Sequence, residues 1–356
     1  MKNYRVAVIP GDGIGIEVIE AGLAVLDAAA KAVPGFALEI TRFDWGSDYY
    51  RRHGRMMPAD GVETLRGFDA IYFGAVGDPE IADHVTLWGL RLAICQGLDQ
   101  YANVRPASIV AGVASPLRDV FPGDLDLVIL RENSEGEYAG AGGRVHRGLG
   151  TEVGIETAVF TRTGVARIMR FAFDFAEKRP RRRLTLVTKS NAQGHGMVLW
   201  DTVYAEIAES FPTVETERLL VDAAAARMVA DPHSFDVVVA TNLHADILSD
   251  LAAALAGGLG LAPSANLDPE RRNPSMFEPV HGSAFDIAGT GIANPIGAIR
   301  SAAMMLDHLG AWNAARAIEN AVDRVLAEDR VRTPDIGGTA TTPEVTALIC
   351  RALAEG

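Results

Sequence analysis

Short apolar runs alternate with longer amphipathic stretches along most of the chain, and this alternation predicts the secondary structure. The short runs predict strands at residues 4–9, 69–76, 125–131, 184–189 and 235–240. The longer stretches have helical periodicity and predict helices at residues 15–32, 163–178, 197–210, 223–231, 245–256 and 296–327. Several strands are apolar throughout, as are parallel strands covered on both faces, so we predict an α/β fold.

Residues 138–156 break this pattern. Six glycines lie between short β-type segments there, which indicates a hairpin or arm outside the core. The length of 356 residues favours two domains, yet no linker rich in Gly, Ser or Pro stands out. We therefore expect the chain to pass between two lobes more than once.

Composition and charge exclude several classes of protein. The chain has 33 Lys and Arg against 46 Asp and Glu, a formal net charge of −13, and 48% hydrophobic residues. This balance is ordinary for a globular protein and argues against a nucleic-acid or membrane-surface partner. Cys95 and Cys350 are too few for a disulfide framework, and no apolar run suits a signal peptide or membrane span. We expect a cytoplasmic protein, in which a local arginine cluster can still bind a small anion.

The first predicted strand ends in a glycine-rich turn, Gly11-Asp12-Gly13-Ile14-Gly15, that opens a helix. Such a turn lets the backbone approach a cofactor closely and offers N–H groups at a helix N-terminus. A classical Rossmann fingerprint needs a further glycine at position 16, where this chain has Ile16. The turn therefore indicates a cofactor nearby but disfavours a classical Rossmann fold.

Three cationic side chains lie at or near the ends of predicted strands. Arg131 and Lys189 each end an apolar strand, and Arg105, which precedes Pro106, flanks the same strand–turn unit as Arg131. Strand ends face the ligand crevice in α/β proteins, where Arg suits bidentate carboxylate binding and Lys can exchange a proton. Each residue alone also suits a solvated or ion-paired surface position, and the pattern leaves this alternative open.

Asp246 and Asp250 are four residues apart in a predicted helix, so both carboxylates lie on one face. Two like charges at this spacing destabilise a helix unless something neutralises them. A divalent cation with oxygen ligands would do so, and Asp222, at the end of another apolar run, is a candidate third ligand. The alternative is an exposed acidic face.

Residues 277–289 form a predicted loop of small residues around His281 and Asp286. An aspartate can accept hydrogen bonds from a ribose diol and repels a 2′-phosphate. A cofactor bound at this loop would therefore be NAD rather than NADP. A histidine and an aspartate in a loop carry little information by themselves.

Taken together and in this order, these motifs resemble those of the isocitrate/isopropylmalate family of β-decarboxylating dehydrogenases. The resemblance runs from residues 9–15 to residues 333–339, and its most specific parts are residues 241–250 and residues 291–295. It implies a two-lobed α/β fold distinct from the classical Rossmann fold. Residues 1–104 and 255–356 would form a large cofactor-binding lobe. Residues 105–254 would form a small substrate and dimerisation lobe, with an arm at about 138–156.

The resemblance also implies roles for the candidate residues. Arg105 and Arg131 would hold the carboxylates of a malate-type substrate, and Asn191 would contact it. Tyr138 would handle protons together with Lys189, which would reach the active site of the second subunit in a homodimer. The implied reaction removes a hydride from C2, releases CO₂ and protonates the resulting enolate through Tyr138.

A metal site and a cofactor site are implied in the same way. Mg²⁺ or Mn²⁺ would be held by Asp246, by Asp250, which also assists in accepting the hydroxyl proton, and by Asp222 of the partner subunit. The requirement for a monovalent cation is left open. The implied NAD site consists of Ile14, His281, Gly282, Ser283, Ala284, Asp286, Ala293 and Asn294.

Residues 101–106, 132–138 and 188–191 resemble the tartrate/D-malate branch more than the isopropylmalate branch. One position departs from the family, because Cys95 stands where a substrate arginine is expected. Arg91 lies one helical turn earlier on the same predicted face and is the candidate replacement. The alternatives are a 3-isopropylmalate dehydrogenase, which Arg91 disfavours, and a catalytically silent regulatory subunit, which the retained Tyr138 and Lys189 disfavour.

Overall fold

A ten-stranded mixed sheet runs through the molecule in the computed structural model, which describes residues 2–327 and 331–355. The strands are β1 Lys2–Gly11, β2 Phe36–Arg42, β3 Ala70–Ala75, β4 Ala102–Ser108, β5 Asp126–Glu132, β6 Gly136–Val145, β7 Val153–Val159, β8 Arg183–Thr188, β9 Glu215–Leu220, β10 Val237–Ala240, β11 Pro263–Leu267 and β12 Ser275–Pro279. The helices are α1 Gly15–Ala32, α2 Ser47–His53, α3 Gly61–Leu65, α4 Asp83–Gly89, α5 Arg91–Gly97, α6 Arg162–Lys178, α7 Gly196–Ala208, α8 Val221–Ala230, α9 Asn242–Leu255, α10 Ile296–Leu309, α11 Trp312–Ala327 and α12 Thr342–Ala354.

The sheet consists of two parallel halves joined by antiparallel strands. Its order is β2-β1-β3-β12-β11-β4-β5-β10-β8-β9. Strands β2, β1, β3 and β12 are parallel, as are β5, β10, β8 and β9, while β11 and β4 pair antiparallel with their neighbours. The chain crosses from one half to the other between β3 and β4 and returns between α9 and β11. The lobe boundaries at 104/105 and 254/255 stay a prediction.

The helices pack around the sheet because each buries an apolar stripe. Val18, Ile19 and Val25 of α1 are fully buried, and α1 packs against α10 and α12. Strands β3 and β10 have no exposed residue, which accounts for their continuous apolar runs. Among the described residues, no helix is long and apolar enough to cross a bilayer.

The predicted hairpin is present and somewhat longer than expected. Strands β6 and β7 form an antiparallel pair outside the large sheet. Its apolar side chains Val145, Val153 and Ile155 are exposed. An exposed apolar hairpin face of this kind usually marks a contact with another molecule.

One predicted element was wrong in its extent. Residues 296–327 form two helices, α10 and α11, instead of one. Gly310 adopts the left-handed conformation, with φ 87°, and its N–H bonds to the carbonyl of Asp307, which ends α10. The local apolar periodicity continues on both sides of this break, so it did not reveal the turn.

Candidate active site

A cleft lies where the ends of β4 and β5 face helices α5 and α9. Arg105 of β4 and Arg131 of β5 point into it, and both are buried. Tyr138 of β6, Asp246 of α9 and Leu87 of α4 also line the cleft, together with the end of β3 and the end of β12 with the loop that follows it. The antiparallel register of β4 and β5 places the two arginines on neighbouring strands. The cleft therefore brings together seven of the residues predicted from the sequence: Arg91, Arg105, Arg131, Tyr138, Asp246, His281 and Gly282.

Helix α9 presents its two carboxylates to the arginines. Asp246 accepts hydrogen bonds from Arg105, at 3.1 Å, and from Arg131. Asp250, one turn later, lies 3.5 Å from Nη1 of Arg105. Ser249 accepts a third bond from Arg105 at 2.8 Å. The repulsion between the two aspartates is thus relieved by arginines of the same chain, so the spacing alone does not require a cation.

The arginines also set the ionisation of the two aspartates. Burial opposes ionisation of Asp246, but Arg131 and Arg105 outweigh it and hold its pKa below the ordinary value. The pKa of Asp250 is raised, chiefly by burial. Asp246 is therefore a carboxylate at neutral pH and offers hard oxygen atoms to the cleft.

Tyr138 lies close to the same carboxylate. Its hydroxyl donates to Oδ2 of Asp246 at 3.1 Å, and the guanidinium of Arg131 lies 5.2 Å from the ring centroid. Burial, together with the charge of Asp246, raises the pKa of Tyr138. The hydroxyl therefore keeps its proton at neutral pH and is a proton donor inside the cleft.

Arg91 of α5 lines the cleft beside these groups. Its Nε donates to Oε1 of Glu278 at 2.8 Å, and its Nη2 contacts Oδ1 of Asn266 at 3.3 Å. Cys95 is buried one turn behind, where burial raises the pKa of its thiol to about 11 and keeps it neutral. Arg91 and Cys95 thus share a helix face, as their spacing predicts, and the guanidinium of Arg91 belongs to the cleft lining.

Lys189 and Asp222 lie together, away from this cleft. The ammonium group of Lys189 is 2.5 Å from the Asp222 carboxylate, and neither residue belongs to the cleft lining. Asn191, two residues after Lys189, is exposed. Lys189, Asp222 and Asn191 were all predicted as site residues, but a single chain does not bring them to Asp246.

Asp246 and Asp250 would supply part of a binding site for a divalent cation. Asp246 and Asp250 supply oxygen ligands on one helix face, which suits Mg²⁺ or Mn²⁺. Within residues 2–327 and 331–355, no cluster of three His, Cys, Asp or Glu side chains is arranged to hold a metal. Further ligands would have to come from substrate, water or a second chain.

The predicted cofactor residues form two loops in contact. The N–H of Ile14 donates to the carbonyl of Ser283 at 2.8 Å, and a Cβ on Gly13 would lie 2.0 Å from that oxygen, so only glycine fits there. His281 lines the cleft, and burial lowers its pKa, which leaves a neutral ring with Nε2 buried and unpaired. An unpaired buried polar atom facing a cleft suits a hydrogen bond to a ligand such as a dinucleotide.

The remaining predicted cofactor residues lie around the same loops. Gly282 lines the cleft, Ala284 is half-buried and Asp286 is exposed. Ala293 is buried, and Nδ2 of the neighbouring Asn294 donates to Asp335 at 3.0 Å. This arrangement leaves Asp286 accessible to a bound nucleotide.

Sequence reasoning missed several polar residues that hold the arginines. Asn242 accepts hydrogen bonds from Arg131, and Asn103 and Asn266 contact Arg105 and Arg91. They follow no periodic pattern and are scattered over three elements. Only the position of Asn103, two residues before Arg105 on the same strand face, offered a signal.

Comparison with known proteins decides the family. The family model described as isocitrate/isopropylmalate dehydrogenase matches residues 5–349. The chain belongs to this family. The crystal structure of isocitrate dehydrogenase from Methylococcus capsulatus superposes with a TM-score of 0.88 at 36% identity, covering 99% of both chains. The predictions of a family-type α/β fold and of an oxidoreductase are confirmed.

Curated relatives within the isocitrate/isopropylmalate dehydrogenase family are similar over almost their entire length. A probable tartrate dehydrogenase/decarboxylase of Agrobacterium vitis is 62% identical over 354 residues, which is 99% of each chain. A decarboxylating D-malate dehydrogenase of Escherichia coli is 51% identical, and a tartrate dehydrogenase/decarboxylase of Pseudomonas putida is 49% identical. These names agree with the predicted resemblance to the tartrate/D-malate branch.

Proposed function

We propose that this chain catalyses the NAD-dependent and divalent-metal-dependent oxidative decarboxylation of a malate-like 2-hydroxy acid of the D-malate or tartrate type. The observation that carries the proposal is the convergence of Arg105, Arg131, Tyr138 and Asp246 in one cleft. The similarity to relatives named for tartrate and D-malate supports the choice of substrate class.

The arginines account for binding of a dicarboxylate. The guanidinium groups of Arg91, Arg105 and Arg131 all belong to residues that line the cleft, where they contact the carboxyl groups of Glu278, Asp246 and Asp250. Bidentate contacts to planar carboxylates are the interaction that Arg makes best. Two such contacts would fix both ends of a malate-like molecule and orient the carbon that bears the hydroxyl group.

The residues of this chain would then handle the protons. Asp246 and Asp250 would hold the cation, with Asp222 of the partner subunit as the third ligand. When bound, the cation makes the substrate hydroxyl more acidic and withdraws electrons from the new carbonyl group, and NAD⁺ accepts the hydride. The neutral Tyr138 hydroxyl would deliver a proton to the carbon from which CO₂ departs. Lys189, reaching in from the partner, would accept the hydroxyl proton, aided by Asp250.

The proposed assembly is a homodimer with shared active sites. Lys189 and Asp222 pair with each other outside the cleft of their own chain. Apolar side chains are exposed on the β6–β7 hairpin and on neighbouring helices, among them Ile155, Val198 and Ile247. Burial of these side chains against a second copy would remove them from water and bring the polar pair near the other cleft.

The proposed division into lobes follows from the same geometry. The segments 1–104 and 255–356 would carry the cofactor loops around Ile14 and His281, and the segment 105–254 would carry Arg131 and Asp246. The cleft lies where the two segments meet in the sheet. This is the location at which α/β proteins commonly bind their ligands.

Two alternative functions have less support. A 3-isopropylmalate dehydrogenase would need an apolar wall for the isopropyl group. Val76 and Leu87 do line the cleft, but it also contains the buried ion pair of Arg91 and Glu278, which suits a polar substituent better. A catalytically silent regulatory subunit would not need a proton donor, yet Tyr138 is held against Asp246.

Initial rates of NADH formation with a panel of substrates test the proposal. D-malate, the tartrates, 3-isopropylmalate and isocitrate would each be supplied with NAD⁺ and Mn²⁺, and parallel samples would contain a chelator. We expect turnover of D-malate or a tartrate, and loss of that turnover with the chelator. Turnover of 3-isopropylmalate alone, or of nothing in the panel, would contradict the proposal.

A further inference from the structure

Two buried side-chain amides are hydrogen-bonded to each other and to arginines of the cleft. Asn103 of β4 and Asn266 of β11 are paired in the register of these antiparallel strands. Both residues are completely buried. Nδ2 of Asn103 donates to Oδ1 of Asn266 at 3.0 Å. Since buried polar groups are costly without partners, this amide pair is held by a specific set of hydrogen bonds.

Each member of the amide pair fixes one arginine. Oδ1 of Asn103 accepts from Nε of Arg105 at 2.8 Å. Oδ1 of Asn266 accepts from Nη2 of Arg91, and its Nδ2 donates at 2.7 Å to the Glu278 oxygen that also accepts from Nε of Arg91. The orientation of one guanidinium is thereby connected to that of the other through a single amide–amide bond.

The amide pair leaves donors of both arginines for a ligand. Within the described residues, Nη1 of Arg91 and Nη2 of Arg105 make no hydrogen bond, although both side chains line the cleft. The amide pair therefore sets the separation between two donor groups that face the same space. A separation fixed in this way selects a ligand that carries two acceptor groups at matching distance.

We propose that Asn103 and Asn266 are positioning residues that hold Arg91 and Arg105 at the spacing required by the two carboxylates of the substrate. This inference rests on the proposed function and extends it to the basis of dicarboxylate selectivity. The amides do not touch the substrate and act through the arginines. Their loss should weaken binding of a dicarboxylate more than binding of a related monocarboxylate.

Equilibrium binding of two probes tests this inference. D-malate and D-lactate differ by one carboxylate, and their dissociation constants would be measured by calorimetry on the full chain with Mn²⁺ and no NAD⁺. We expect Asn266→Leu to weaken D-malate binding about tenfold, which is the scale of one misplaced charge-assisted hydrogen bond. The dissociation constant of D-lactate should change much less. The ratio of the two dissociation constants, which expresses the preference for malate over lactate, should therefore become smaller.

A matched control separates positioning from general damage to the core. Gln100 is also a completely buried amide, and its Nε2 donates to the carbonyl of Pro274 without contacting an arginine. Gln100→Met should leave the malate-to-lactate preference at its wild-type value. An Asn266→Leu protein with the wild-type preference would overturn the inference, as would a wild-type protein that does not discriminate between the two probes.

A second variant keeps the inference testable if Asn266→Leu does not fold. Asn103→Ala removes the oxygen that accepts from Arg105 and the donor to Asn266, and it adds no charge beside the arginine. The same narrowing of preference is expected, and its absence would count against the proposal. Turnover of the substrate panel tests the proposed function separately. The expected change in the malate-to-lactate preference can be absent while turnover of D-malate or a tartrate persists.

Discussion

At the scale of residues, the proposed choice of cofactor and substrate depends on individual side chains. Asp286 is exposed beside the cofactor loops, and it has no ion pair among the described residues. No Lys or Arg occurs between His281 and Arg300. A 2′-phosphate placed there would meet a negative charge without compensation.

We therefore expect kcat/KM to be at least about tenfold higher with NAD⁺ than with NADP⁺, which corresponds to about 1.4 kcal/mol. The measurement is the initial rate with each dinucleotide at saturating D-malate and Mn²⁺. Asp286→Ser should reduce the preference because it removes the repelling charge. Equal kcat/KM for the two cofactors would contradict the assignment of Asp286.

Arg91 should contribute to substrate binding in place of the arginine that is expected at position 95, where this chain has Cys95. Its buried pair with Glu278 holds the guanidinium in the cleft, so Arg91→Ala should lower kcat/KM by about 1.5–3 kcal/mol. The double variant Arg91→Ala/Cys95→Arg should recover part of this loss, most clearly with D-malate. An Arg91→Ala variant with unchanged kcat/KM would remove Arg91 from the site.

The sequence predicted several charged side chains of the cleft but not all of the residues that hydrogen-bond to them. Arg105, Arg131 and Asp246 stood out because strand ends and helical spacing are local properties. The hydrogen bonds of Asn266 and Glu278 depend on the pairing of β11, β12 and β4, which are distant along the chain. No local pattern encodes contacts of this kind, so the supporting residues emerged only from the fold.

Helix α9 is the element that most directly sets the geometry of the site. Thr241 caps its N-terminus by accepting a hydrogen bond from the N–H of His244, and it also donates to Glu137 at 2.9 Å. Helix α6 begins in the same way. Thr161 accepts from the N–H of Gly164 and donates to Glu135 at 2.8 Å. The two caps are alike, but α9 carries Asp246, which lines the cleft, and no residue of α6, which the structure describes in full, lines it.

Thr241→Ala and Thr161→Ala should each lower the free energy of unfolding by about 1 kcal/mol, the usual contribution of such a cap. Urea denaturation at equilibrium measures this loss. Only Thr241→Ala should also raise the KM for substrate, because α9 carries Asp246 whereas no residue of α6, all of which is described, lines the cleft. Equal KM values for the two variants would show that the start of α9 does not control the site.

At the scale of elements, five buried strands and the long amphipathic helices were predictable. The buried strands β4, β11 and β12, whose short sequences contain Pro and polar residues, were not, and neither were the edges of the sheet. Strands β2 and β9 lie at the two edges and are at most half-buried over most of their length, so neither is apolar throughout. Helix α12 was missed although a capping box of Thr341 and Glu344 marks its start. Edge strands are defined by the neighbour they pair with, and their own sequences carry little of that information.

At the scale of the whole molecule, the proposed active site requires two chains. Asp246 lines the cleft and Asp250 contacts the cleft residue Arg105, whereas Lys189 and Asp222 pair with each other elsewhere on the same chain. A second copy that covers the exposed apolar hairpin is the proposed means of joining the two sets.

Mixed dimers test this arrangement. Lys189→Ala and Asp246→Asn would each be inactive as homodimers, because each site would lack one required group. Unfolding and refolding a mixture of the two should restore activity, since one site of a heterodimer receives both defects and the other receives neither. If heterodimers demonstrably form and no activity returns, each site is built from a single chain.

Oxidation coupled to loss of the β-carboxyl group is the central claim, and D-malate labelled with ¹³C tests it most directly. Purified protein would be supplied with NAD⁺, Mn²⁺ and D-malate labelled at C4 or, separately, at C1. The account predicts labelled CO₂ from the C4 substrate in equal amount to the NADH formed, and no labelled CO₂ from the C1 substrate. NADH formation without release of the C4 carbon, or labelled CO₂ from the C1 substrate, would contradict it.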